Sequence, residues 1–316
     1  MNPFLEKLHF LSDIFIAFLL MLYLSAPNFI LTAKALTSFD FPVVNDFPSR
    51  GVDPIPNGDD ENDKEMGVIW VEDYSNIGGN NLVAAQENAE GFFLALAEIG
   101  WAEVFNCGDY DAVERQFEAK ELIGLDHLYA DDVDFVWFAG HGDRDSIWFG
   151  RKADPYGEHV GYAHYSEIIL GDRDIEWIVF DSCLTLNNTP LEPGDDPYII
   201  YRWESVFKGL HAAFGFATEV QDCQILVWIV WPIWYTYESA GKRFVNYMKE
   251  GYTIGDAWIR TTQDWQDSFI WAAMLGVGKQ LEGEEYYYGW DDHLPGYGSV
   301  GEDLEDTWLA WREWQC

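Results

Sequence analysis

Two apolar segments constrain this chain more than anything else in it: residues 133–142, VDFVWFAGHG, and residues 175–183, IEWIVFDSC. Each is of strand length and apolar without alternation, the pattern of a strand buried on both faces, as in a parallel sheet. Each also ends on a reactive side chain, the first at His141, followed by Gly142, and the second at Cys183. Open α/β sheets gather their chemistry beyond the carboxyl ends of their strands. The two segments therefore predict an imidazole and a thiol at the tips of neighbouring strands, the layout of a cysteine nucleophile with a histidine base.

The rest of the chain supports a layered α/β reading. Strands are predicted at 67–73, 101–109, 210–218 and 271–278, with a short hairpin strand at 146–150. Helical spacing of apolar residues runs through 80–99, where Gly100 is a stop, and helices are also expected over 111–124, 198–209, 232–251 and the segment after Thr253. Pro232 near the start of the fourth helix and Gly251 after its end fit the usual asymmetry of helix termini. Strands alternating with helices argue for an α/β sandwich with a mostly parallel six-stranded sheet over residues 66–280. Residues 36–65 are rich in Pro, Gly and Asp without apolar periodicity, as in a linker or prosegment. The acidic, aromatic-rich residues 281–316 read as a C-terminal extension.

The chain has 316 residues, and 55 acidic against 18 basic side chains give a net charge of −37. Such a field repels nucleic acid and anionic surfaces, so no nucleic-acid partner is expected. Three readings of the acidity stay open and are compatible: a solvated, self-repelling surface suited to high salt, a calcium-dependent fold or activity, and selection for a cationic substrate. No resident cofactor or metal site is expected, calcium as an activator excepted. The Asp-rich 58–64 segment has no EF-hand register, and His159 and His164 lack ligand spacing. Residues 14–24, IFIAFLLMLYL, followed by Ala33-Lys34-Ala35, make residues 1–35 a secretory signal peptide, an N-terminal membrane anchor, or a buried helix. Either of the first two makes the remainder extracytoplasmic, secreted or anchored at the cell surface. Cys107, Cys183, Cys223 and Cys316 show no CxxC pair, and Cys107 and Cys223 are either bridged or two buried thiols.

A thiolate attacking a carbonyl needs donors for the oxyanion, and the backbone N–H groups of Gly142 and Cys183 are the candidates. With these residues on the page, the chain resembles the caspase-like clan of cysteine peptidases, in which one apolar strand ends in His-Gly and another in the nucleophilic Cys. FVWFAGHG and WIVFDSC match in that order. The nearest variant is the metacaspase form, GHG with DSC. The chain continues DSCLTLNNT where metacaspases have DSCHSG, and it lacks QACxG; its apolar leader and the TIGDAW helix look closer to gingipain-like or uncharacterised archaeal and bacterial relatives. The resemblance implies a caspase-like α/β/α sandwich, Cys183 as nucleophile, His141 as general base and acid, and Asp181 as a binder of a basic side chain. Glu219 and Asp222, after the 210–218 strand, are further candidates for the specificity pocket wall. It implies a cysteine endopeptidase acting on peptides or proteins after Arg or Lys. Two other classes remain: an inactive caspase-like binding or assembly module, and an α/β hydrolase or transferase using the Cys–His pair on a small acyl substrate.

Overall fold

The computed structural model describes residues 64–151, 161–189, 199–229, 234–281, 286–301 and 308–316. The expected leader, nearly all of the linker, and His159 lie outside the described residues. Among the described residues no helix is long and apolar enough to cross a membrane.

In chain order the strands are β1 (Glu65–Trp70), β2 (Ala102–Gly108), β3 (Phe135–Ala139), β4 (Ser146–Trp148), β5 (Tyr162–His164), β6 (Trp177–Asp181), β7 (Ala212–Phe216), β8 (Ile225–Ile229), β9 (Trp234–Glu238), β10 (Trp271–Gln280), β11 (Tyr286–Tyr288) and β12 (Trp308–Gln315). The helices are α1 (Ala85–Ala97), α2 (Ile199–Trp203), α3 (Ala240–Lys249) and α4 (Ile254–Trp265). The central sheet runs β11-β10-β7-β6-β3-β1-β2, with β12 also on β10. The pairs β2–β1, β1–β3, β3–β6 and β6–β7 are parallel, and β10 is antiparallel to β7, β11 and β12. The fold is thus α/β with a mostly parallel sheet. All five residues of β3, β6 and β7 are buried, which is why these segments read as unbroken apolar runs.

Alternate residues of each strand serve opposite faces. Val68, Trp137, Val179, Phe214 and Met274 face α1, α3 and α4, where Phe92, Phe244 and Trp258 fill the interface. Ile69, Phe138, Ile178, Ala213 and Leu275 face a second layer that includes Phe117, Phe149, Ile199 and Phe207. That second layer is built from short 3-10 turns, the β4–β5 hairpin and α2 rather than from long helices.

Three expectations need correction. Among the described residues the sheet has eight strands, not six, because β11 and β12 come from the 281–316 segment expected to lie outside the domain. The helix expected over 111–124 is a series of 3-10 turns, Asp109–Asp111, Glu114–Gln116 and Lys120–Leu122. Here side chains replace the helical ladder: Gln116 accepts the Val113 N–H and donates to the Asp111 carbonyl, and Arg115 donates to the Ile123 carbonyl. The helix expected over 232–251 is split into β9 and α3, because Ser239 caps α3 by accepting the Lys242 N–H, so the helix starts there rather than at Pro232. The alternative of a Cys107–Cys223 bridge is not realised. Both are free thiols, and they pack against opposite layers of the sheet.

Candidate active site

β3 and β6 are neighbours in parallel register, with Ala139 opposite Asp181. The ladder continues one step as the Gly140 N–H donates to the Asp181 carbonyl at 3.1 Å. His141 and Cys183 each lie two residues past that matched pair, so both follow the carboxyl ends of adjacent parallel strands. The two tips also touch. A Cβ on Gly142 would stand 3.0 Å from the Cys183 carbonyl and from the Ser182 side chain, so any larger residue would have to push these neighbours aside by a few tenths of an ångström.

No hydrogen bond joins the imidazole to the thiol; each is held by other groups. The His141 Nε2 lies 2.7 Å from the Asn80 carbonyl. A carbonyl only accepts, so Nε2 is the donor in this contact, and in the neutral ring Nδ1 is then the nitrogen with the lone pair. The Tyr74 hydroxyl accepts the His141 backbone N–H at 2.7 Å, and its ring packs 4.4 Å from the imidazole. Cys183 Sγ accepts the Val220 N–H at 3.3 Å. Burial pushes the thiol above its usual pKa, the charges of Glu219 and Asp181 push the same way, and the Val220 amide opposes them. The residue after the cysteine, Leu184, has φ 61°, a left-handed backbone that costs a non-glycine residue free energy and bends the chain sharply away from the sulfur. Among the described residues, neither the Gly142 nor the Cys183 amide donates to another backbone group.

The acidic candidates differ in surroundings. Asp181 is buried, and burial raises its carboxyl to about 8; the Asn88 side-chain amide, donating at 3.2 Å, opposes the rise and the Asp222 charge adds to it. Asn88 also accepts the Ala240 N–H at 3.0 Å, which ties Asp181 to the start of α3. Asp222 accepts from the Val83 and Ala84 N–H groups, so its carboxylate holds the turn that leads into α1. Glu219 is exposed, in the loop that supplies Val220. Behind the site, Arg202 of α2 donates to the Arg144 carbonyl at 3.0 Å and to the Asn187 carbonyl, which fastens the loop after His141 to the loop after Cys183.

The sequence reading missed Tyr74, Asn80 and Asn88. Tyr74 and Asn80 lie in the loop beyond β1 and Asn88 in the first turn of α1, none with a local signal of its own. They reach the site because β1 lies beside β3, a long-range pairing.

A search of curated proteins finds no match. Among solved structures, the Arg-specific cysteine proteinase gingipain R matches at 12% identity and TM-score 0.39, over 68% of this chain and 44% of that one. A complex of Porphyromonas gingivalis RgpB pro- and mature domains matches at 11% and 0.34, over 67% and 44%. Pro-Sf-caspase-1 matches at 11% and 0.35, over 70% and 84%. The chain thus spans under half the length of the gingipain chains. The sequence profile described as a domain of unknown function, DUF6345, covers residues 68–314, and the chain belongs to that family.

Proposed function

We propose that this chain is a cysteine endopeptidase of the caspase-like clan that cleaves after Arg or Lys. The observation that carries the reading is that His141 and Cys183 each follow, by two residues, the matched ends of adjacent parallel strands, with Nε2 of the imidazole against the Asn80 carbonyl. In this reading Nδ1 of His141 takes the thiol proton as Sγ bonds to the scissile carbonyl carbon. The Gly142 and Cys183 amides receive the oxyanion, a contribution of about 10²–10³ in rate per donor in other enzymes. His141 then protonates the leaving amine as the C–N bond breaks, and afterwards takes a proton from the water that hydrolyses the thioester. The raised thiol pKa makes the resting nucleophile a neutral Cys183, so the imidazole works as a base rather than as a partner in a standing ion pair. A guanidinium or ammonium of the substrate would meet Asp181, with Glu219 adding negative charge nearby. The apolar leader, residues 14–24, supports export and surface attachment.

The second reading, an inactive caspase-like surface module, is favoured by the absence of a direct His141–Cys183 hydrogen bond and by the burial of the thiol. One experiment separates them. The chain from residue 36 is treated with an arginyl acyloxymethyl ketone, with and without millimolar calcium, and the adduct is located by mass spectrometry. Label on Cys183, lost in His141→Ala, is the expected result. A folded chain left unlabelled under both conditions would favour the binding module.

A further inference from the structure

Tyr74 is completely buried, although it lies in the loop that follows β1. Its hydroxyl accepts the His141 N–H at 2.7 Å and donates to the Trp148 carbonyl at 3.0 Å. Trp148 in turn donates its N–H to the His141 carbonyl at 2.9 Å. Both backbone polar groups of His141 are therefore held within one closed ring of hydrogen bonds that passes through the phenol. The main chain of Tyr74 sets the other partner of the imidazole. Its carbonyl accepts the Ile77 and Gly79 N–H groups, each at 3.1 Å, and its own N–H donates to Asn81 Oδ1 at 3.0 Å. These bonds fold residues 74–81 into the turn that presents the Asn80 carbonyl to Nε2.

The neighbourhood is shaped around that hydroxyl. A Cβ on Gly140 would stand 2.6 Å from the Tyr74 oxygen, so the first glycine of the Gly-His-Gly turn is the space the phenol occupies. Burial pushes the phenol well above its ordinary pKa, and its proton is committed to Trp148, so it is a fixed neutral prop and not a proton donor to the reaction.

We propose that Tyr74 is the positioning residue of His141: through its hydroxyl, its ring and its carbonyl it fixes the imidazole as the Nε2–H tautomer and leaves Nδ1 as the base. The assignment rests on His141 being the base of the proposed peptidase, yet its core is a statement about the imidazole that is measurable without turnover.

The test uses the same 36–316 chain and two variants, Tyr74→Phe and Gly140→Ala. Tyr74→Phe keeps the ring and removes the hydroxyl; Gly140→Ala keeps the tyrosine and drives its hydroxyl away. Nitrogen-15 NMR of the imidazoles, with His141→Ala to assign the signal, reads the tautomer, and arginyl acyloxymethyl ketone labelling reads the thiol. Wild type is expected to hold the Nε2–H tautomer, and both variants to show mixed tautomers with labelling slowed about 10- to 100-fold, the cost of a small misplacement of a reacting group. An unchanged tautomer in whichever variants fold would overturn the proposal, whatever the labelling does. A wild type that resists the label, with a tautomer that still shifts in Tyr74→Phe, would remove the peptidase reading and leave the positioning role standing.

Discussion

Asp181 and Asp222 are both acids near one thiol, and their contacts separate them. Asp181 is buried against a single side-chain donor, whereas Asp222 spends its oxygens on the Val83 and Ala84 amides ahead of α1. A carboxylate at a helix N-terminus contributes through both hydrogen bonds and the helix dipole. Asp222→Ala should therefore cost about 1–2 kcal/mol of stability, read from the urea midpoint, with arginyl-probe labelling largely kept. Lost labelling at unchanged stability would instead make Asp222 a substrate residue. At this scale His141, Gly142 and Cys183 were legible, because each directly follows an apolar strand. Tyr74, Asn80 and Asn88 were not, because each acts on a residue far from it in the chain.

Among the elements, β12 departs most from expectation. It pairs with β10 along Trp271–Gly278 and closes the edge that β10 would otherwise leave open. Its Trp314 is 3% exposed and donates Nε1 to Thr262 of α4 at 3.0 Å, so the strand is also tied to the helical layer. Trp314→Ala should lower stability by about 3–5 kcal/mol, measured by guanidinium denaturation. A loss under about 1 kcal/mol would place β12 outside the cooperative unit. The strand was hard to read because its aromatic and charged residues do not alternate cleanly. Its burial pattern is mixed, as befits an edge strand that is covered on one side only. The 111–124 segment failed for a related reason: its polar residues Glu114, Arg115 and Gln116 are buried while its apolar Leu122 and Ile123 are exposed, so polarity does not mark out a helical face.

For the whole molecule, the acids set the response to pH. Burial, first among the causes, raises Asp126 and Asp291 to about 6, Asp134 to about 7 and Asp181 to about 8. An acid held above its unfolded value keeps its proton in the folded state over the window between the two values. Its favourable contribution is complete below pH ~4 and is lost as pH rises through the folded value. All four act in the same direction between pH ~4 and ~8, and the net charge of −37 adds self-repulsion that salt screens. The melting temperature should accordingly be higher at pH 5 than at pH 8, at about 2–4 °C per kcal/mol for a domain of this size. Asp181→Asn and molar salt should each narrow the gap. Calorimetry showing a melting temperature that climbs from pH 5 to pH 8 would contradict the burial of these carboxyls.

The pattern of residues was enough for the layered α/β class and for the strands that lead to His141 and Cys183, because an unbroken apolar run of strand length is stable only when both faces are covered. It also determined the glycines that flank His141, though not what they make room for. Tertiary structure alone decided the strand order. With β1 set beside β3, and β3 beside β6, the loop after β1 reaches the imidazole and Cys183 follows the adjacent strand. Which strands become neighbours depends on pairings between distant segments, and no local pattern of residue types encodes them.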